Sequence, residues 1–405
     1  MPLIKRPQYT EKILQYADRP SVKILRGMKR SGKTAILQLL QEEFLARGVM
    51  KKNIVYMSFE GLENAAVTDY QSLYDAIAAR VTPGERTYLF LDEAARVYGW
   101  EKAALHMLHD FDADIYVAGS NGAITTKNTL AVLEEHHELF DVYPLSFAEY
   151  IAFRETHAQA EDIQRELVRY LMFGGFPSLH LRAYTQLEAY TYARDVMSAA
   201  IWNEVAGSSQ LRRADQLDRI IRFVFENVGN TFSAKFLSDK LKGENKEINI
   251  ETVYTYLERL ENAYIVSRCR RYDLHVGEAL KTQEKFYILD TSLRYAMMGF
   301  SPDTVAAALE NIVYLELRRR GYDVYMGKLG RREIDFVAQR GEDRIYVQLS
   351  SDLRGGEARD DYSLLMSAHD SYPKLILTTE PGASGNKNGV RTMNAADFLL
   401  RREIV

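Results

Sequence analysis

The chain has 405 residues, of which 46% are apolar and 27% charged, and its formal net charge is −4. This composition suits a globular chain long enough for more than one domain, and its slight acidity excludes a general attraction to nucleic acid or anionic membrane, so any such contact needs a local patch. A lone cysteine, Cys269, excludes an intrachain disulfide framework and no apolar run reaches membrane-span length, so a cytoplasmic protein without membrane contact is expected.

Residues 1–145 alternate short apolar runs with longer amphipathic ones. Strands are predicted at 22–26, 53–59, 87–92, 114–118 and 140–143, and helices at 34–47, 69–79 and 101–111. Such alternation requires crossover connections, hence a parallel sheet covered by helices on both faces. Residues 146–210 read as helical, interrupted by Gly174-Gly175-Phe176-Pro177, which must end a helix. Residues 211–280 read as three helices (217–227, 233–241, 249–261) and a short β segment at 264–271, the order of a winged-helix module. Residues 281–405 return to mixed α/β, with a helix at 304–320 and strands at 323–326, 333–339, 344–349 and 374–378.

The first strand-to-helix turn carries the most specific chemistry. Gly27-Met28-Lys29-Arg30-Ser31-Gly32-Lys33-Thr34, followed by Ala35, has the form of a phosphate-binding loop. Backbone N–H groups of such a loop, and of the helix it opens, converge on an anion. Lys33 is placed to reach the β- and γ-phosphates of ATP, and the Thr34 hydroxyl to ligate Mg²⁺. The apolar strand Thr87-Tyr88-Leu89-Phe90-Leu91 ends in Asp92-Glu93. Asp92 is the expected metal partner, and Glu93 the group that polarises the attacking water. The strand at 53–59 falls between the two motifs, in a pattern resembling P-loop ATPases that carry an added central strand and a catalytic glutamate. A further strand ends in Gly119-Ser120-Asn121, where Ser120 or Asn121 either senses the γ-phosphate or simply forms a turn.

These motifs occur in order with Tyr143-Pro144-Leu145-Ser146-Phe147-Ala148-Glu149-Tyr150 and Gly174-Gly175-Phe176-Pro177. Together they resemble the prokaryotic AAA-superfamily ATPases that carry a C-terminal nuclease-like domain of unknown function. The resemblance implies an AAA-type P-loop sheet, a helical lid, a winged-helix segment and a restriction-endonuclease-like α/β tail. It implies ATP and Mg²⁺ as ligands and a nucleotide-driven switch or DNA-directed motor as the role. One feature departs from it. Such ATPases carry a Gly-Arg pair before the Pro-Leu-Ser-Phe segment, whereas this chain has Glu134-Glu135-His136-His137-Glu138 there. Either the charge-stabilising arginine is then another residue, such as Arg154, Arg212 or Arg213, or comes from a neighbouring subunit of a homo-oligomer, or hydrolysis is simply slow. His136 and His137 are expected on a solvated helix face and not as metal ligands.

Two further constellations lie downstream. Lys235, Lys240, Lys242, Lys246, Arg268, Arg270 and Arg271 surround the helix at 249–261 and suit contact with a DNA backbone. That helix also carries Glu251, Glu258 and Glu261, which suits a packing module equally well. Glu310, Asp335 and Gln348 have the order and spacing of a metal-dependent nuclease core. Ser350 stands where such a core keeps a lysine; Lys328, Arg331 and Arg332 are the nearby cations, and an inactive or binding role is expected. Two alternatives to the ATPase switch follow: an ATP-regulated DNA nuclease, and a nucleotide-gated scaffold that does not hydrolyse ATP.

Overall fold

The structure, a computed structural model, describes residues 3–120, 122–158, 162–201, 214–242, 248–350 and 356–402. The chain divides into two compact units, Met1–Pro144 with Asn262–Tyr264, and Leu145–Glu261 with Ile265–Val405.

The first unit runs α1 (Pro7–Leu14), β1 (Val22–Arg26), α2 (Lys33–Ala46), β2 (Ile54–Ser58), α3 (Tyr70–Ala78), β3 (Thr87–Asp92), α4 (Trp100–Asp110), β4 (Ala113–Gly119), α5 (Lys127–Leu133) and β5 (His137–Asp141). Its five strands are all parallel, in the order β2-β3-β4-β1-β5. Alternate residues of each strand face opposite layers. Ile24, Leu89, Leu91 and Ile115 pack with Leu73, Ile77, Trp100 and Met107 from α3 and α4. Leu25, Phe90 and Tyr116 pack with Ile13, Ile36, Leu40 and Phe44 from α1 and α2. The strand inserted between β1 and β3 is β4; β2, which lies between the two nucleotide motifs in sequence, takes the sheet edge. His136 and His137 are not on a helix: His137 begins β5 and pairs with Val22.

The second unit contains α6 (Phe147–Arg154), α7 (Ile163–Phe173), α8 (Gln186–Ile201), α9 (Ala214–Glu226), α10 (Ala234–Lys242), α11 (Ile250–Asn262, up to Glu261), β6 (Val266–Asp273), β7 (Glu278–Ile288), α12 (Thr291–Met298) and α13 (Val305–Arg319). It continues with β8 (Asp323–Leu329), β9 (Arg332–Arg340), β10 (Asp343–Ser350), α14 (Gly356–Met366), β11 (Lys374–Thr378), β12 (Ser384–Lys387), β13 (Val390–Asn394) and α15 (Ala395–Leu400). Its eight strands follow the order β12-β13-β11-β10-β9-β8-β6-β7. Strands β6 and β7 form an antiparallel pair after three helices, as a wing does, but β6 also pairs with β8. The hairpin is therefore the edge of the large sheet, and β7 runs across the expected boundary at 280.

Two sequence motifs of this unit have local explanations. Ser146 caps α6: its Oγ accepts the Glu149 N–H at 3.2 Å, while the Glu149 carboxylate accepts the Ser146 N–H at 2.9 Å. Gly174 sits at φ +69°, and a Cβ there would lie 1.7 Å from Asp290 Oδ1, so only glycine fits.

Candidate functional site

The phosphate loop joins β1 to α2, and Gly32 (φ +98°) precedes the first helical turn. Gly27 is required by close approach: a Cβ on it would lie 2.1 Å from the Val142 carbonyl oxygen. Arg6, 1% exposed, braces the loop by donating to the Ser31 carbonyl at 2.7 Å and the Tyr143 carbonyl at 3.0 Å. Lys33 folds back on the loop and donates to the Gly27 and Met28 carbonyls, each at 2.9 Å. Burial lowers its pKa to about 8 against the opposing pull of the Glu93, Asp92 and Glu60 carboxylates. Lys29 pairs with Glu60 at 3.1 Å, and Arg30 holds a left-handed backbone at φ +71°.

The end of β3 completes the site. Asp92 is 3% exposed, and its Oδ2 accepts from Thr34 Oγ1 at 2.7 Å and from the Tyr56 hydroxyl at 3.1 Å. Burial raises its pKa, opposed by those two hydrogen bonds. Among the described residues its Oδ1 is buried with no hydrogen-bond partner, and so is Ser31 Oγ. Buried polar atoms of this kind need a partner. An orphaned carboxylate oxygen beside a threonine hydroxyl fits a hard, oxygen-seeking cation such as Mg²⁺. Glu93 turns the chain at φ +55°, and its Oε2 accepts from Ser120 Oγ at 2.9 Å and from the Ser120 N–H at 3.3 Å. Lys33, Thr34, Asp92, Glu93 and Ser120 are thus linked in one constellation; Asn121 lies outside the described residues. Sequence reasoning missed Tyr56 and Arg6, whose partners lie far along the chain.

The downstream expectations fare differently. Arg154 is buried and paired with Glu166 at 3.1 Å, which removes it as a charge-stabilising arginine; Arg212 and Arg213 lie outside the described residues. Of the cations suited to DNA, Arg268 is held by Glu261 at 2.7 Å and Glu284 at 3.1 Å, and Arg271 by Glu333 at 2.8 Å. Lys235, Lys240 and Arg270 are exposed, but so are Glu251 and Glu258 on α11; Lys246 is outside the described residues.

In the tail, Glu310 Oε1 accepts from Lys285 Nζ at 2.9 Å and from the Tyr287 hydroxyl at 2.6 Å. Asp335 Oδ2 accepts the Leu349 N–H at 2.8 Å, and Gln348 Oε1 accepts the Asp335 N–H at 3.1 Å. Burial, reinforced by Glu310, raises Asp335 above the usual carboxylate range. Lys328 pairs with Asp273 and Arg332 binds Ser363 and Ser367, so neither stands in for the lysine absent at Ser350. Among the described residues no three His, Cys, Asp or Glu side chains group to hold a metal. Glu310 is served by an ammonium from β7, a strand that sequence periodicity did not reveal.

Residues 19–151 match the family described as AAA domain, and residues 164–304 match a domain of unknown function, DUF8612. A protein of Haemophilus influenzae, itself described as uncharacterised, is 29% identical over 98% of this chain and 99% of its own length. An uncharacterised protein of Methanocaldococcus jannaschii is 26% identical over 82% of this chain and 75% of its own. The solved Walker-type ATPase PABY2304 of Pyrococcus abyssi superposes with a TM-score of 0.50 at 14% identity, covering 73% of this chain and 96% of that one. Among the described residues no helix is long and apolar enough to cross a membrane. With the parallel sheet and the loop geometry, these matches identify the N-terminal unit as an AAA-type P-loop ATPase fold.

Proposed function

We propose that the protein binds ATP with Mg²⁺, hydrolyses it slowly, and uses the nucleotide state as a switch. The observation that carries this is the Thr34–Asp92 hydrogen bond at 2.7 Å beside the orphaned Asp92 Oδ1, at the mouth of a loop whose lysine is held by its own carbonyls. On ATP binding Lys33 exchanges the Gly27 and Met28 carbonyls for β- and γ-phosphate oxygens, and the Thr34 hydroxyl leaves Asp92. Mg²⁺, when bound, neutralises phosphate charge and polarises the phosphoryl group. Asp92 would hold the ion through its water shell. Glu93 accepts the proton of the attacking water, and Ser120 holds the Glu93 carboxylate in register for it.

The absence of a Gly-Arg pair before Pro144 and the pairing of buried Arg154 with Glu166 support slow turnover by the isolated chain. An arginine finger is worth about a thousandfold or more. If it comes from Arg212, Arg213 or a neighbouring copy, turnover per chain depends on assembly. The paired Arg268 and Arg271 and the exposed acids of α11 favour a switch over a DNA-directed motor. A Glu93→Gln variant tests the reading: ATP affinity should persist while phosphate release stops. Unchanged release would remove Glu93 from catalysis. Undetectable release from the wild-type protein despite ATP binding would favour the non-hydrolysing scaffold.

A further inference from the structure

We infer that Tyr56 is a positioning residue that aims the Asp92 carboxylate so that Oδ1 faces a divalent cation. The inference rests on the ATP and Mg²⁺ reading above and names a residue outside both nucleotide motifs. Tyr56 lies on β2, the edge strand, in parallel register with β3: Tyr56 is opposite Phe90 and Ser58 is opposite Asp92. The phenol therefore starts two residues short of Asp92 and spans that step, placing its hydroxyl 3.1 Å from Oδ2. Thr34 Oγ1 reaches the same oxygen at 2.7 Å, and Oδ1 has no partner among the described residues.

Two donors on one oxygen and none on the other make an oriented carboxylate. The terminal torsion of aspartate is broad, so a carboxylate without such a donor samples many orientations. Thr34 cannot supply the orientation once its hydroxyl turns to the cation. Tyr56 has no such second duty, and it holds Oδ2 when Thr34 leaves. Partners of this kind, one step behind the metal-facing group, alter metal affinity by about 10- to 100-fold when removed.

The test uses the full chain and a fluorescent ATP analogue, titrated in EDTA and across a Mg²⁺ series. Tyr56→Phe keeps a ring that is already 38% exposed and deletes only the hydroxyl, so the fold is retained. Affinity in EDTA should match wild type, while the Mg²⁺ concentration giving half-maximal tightening should rise about tenfold. In an Asp92→Asn background the same change should add nothing, because the group being aimed is gone. An unchanged Mg²⁺ requirement would overturn the inference and leave the ATPase reading intact. Equal weakening with and without Mg²⁺ would also overturn it, since Tyr56 would then act only on structure. Wild-type binding that ignores Mg²⁺ would overturn the parent reading, and this inference with it.

Discussion

Ser120, just past the end of the neighbouring strand β4, holds Glu93, Oγ to Oε2 at 2.9 Å, while Glu93 itself occupies a left-handed backbone conformation at φ +55°. A non-glycine residue persists in that region only when its surroundings over-determine it, and such residues concentrate at functional sites. Through this contact the serine fixes the carboxylate that, on the proposed reading, accepts the proton of the attacking water. Ser120→Ala should lower ATP turnover about tenfold and leave the ATP dissociation constant unchanged, as expected for an orienting group in general-base catalysis. Steady-state kinetics alongside equilibrium binding separate the two quantities. Equal loss in both would mean that Ser120 shapes the pocket instead.

At the opposite end of β4, Asp114 pairs with Lys23 of β1 at 2.6 Å, and both side chains are fully buried. The Tyr116 hydroxyl and the Asp18 N–H also donate to Asp114. Burial lowers the Lys23 pKa against the pull of Asp114. Asp114→Ala removes the counter-ion of that ammonium, leaving it only the Arg19 and Ser21 carbonyls, and should cost about 3–5 kcal/mol in denaturant unfolding. Replacing both partners with apolar residues should cost much less.

Gly174→Ala should destabilise the second unit severely, because the added methyl cannot share space with Asp290 Oδ1. The expected readout is loss of soluble protein or a large fall in thermal midpoint. Ordinary behaviour of this variant would show that the turn can be rebuilt.

His180 provides a pH test. It is buried, its Nε2 lies 2.9 Å from the Gly174 carbonyl, and the Tyr184 hydroxyl lies 3.2 Å from its Nδ1. Burial lowers its pKa from 6.5 to about 3. Between those values the unfolded chain binds more protons than the folded one, so stability falls as pH drops from 6.5 toward 3. His180→Gln should flatten that part of the stability curve measured by denaturant titration. An unchanged slope would assign acid sensitivity to other groups.

The readable parts of the chain were local. The phosphate loop and the Asp92-Glu93 strand end each announce themselves by spacing within a few residues. Sheet order did not, since nothing local states that β4 and not β2 lies beside β1. The expectation of a solvated helix face at His136 and His137 failed because β5, which His137 begins, is short and only partly buried. Tyr56, Arg6 and Lys285 escaped for a common reason: each acts on a group brought to it by tertiary folding. Strand β7, which supplies Lys285, is rich in polar residues (Glu278–Ile288) and lacks a clean apolar alternation. The wing reading stopped short for the same reason, since pairing of β6 with β8 is a long-range event.

The central claim is that Gly27–Thr34 binds ATP through Lys33, and the most direct measurement is equilibrium binding of a fluorescent ATP analogue to wild type and to Lys33→Ala. Lys33 offers charge-assisted hydrogen bonds that neither the backbone nor Lys29 replaces, so the variant should bind about a hundredfold or more weakly while keeping its thermal midpoint. Equal affinity in the two proteins would contradict the account.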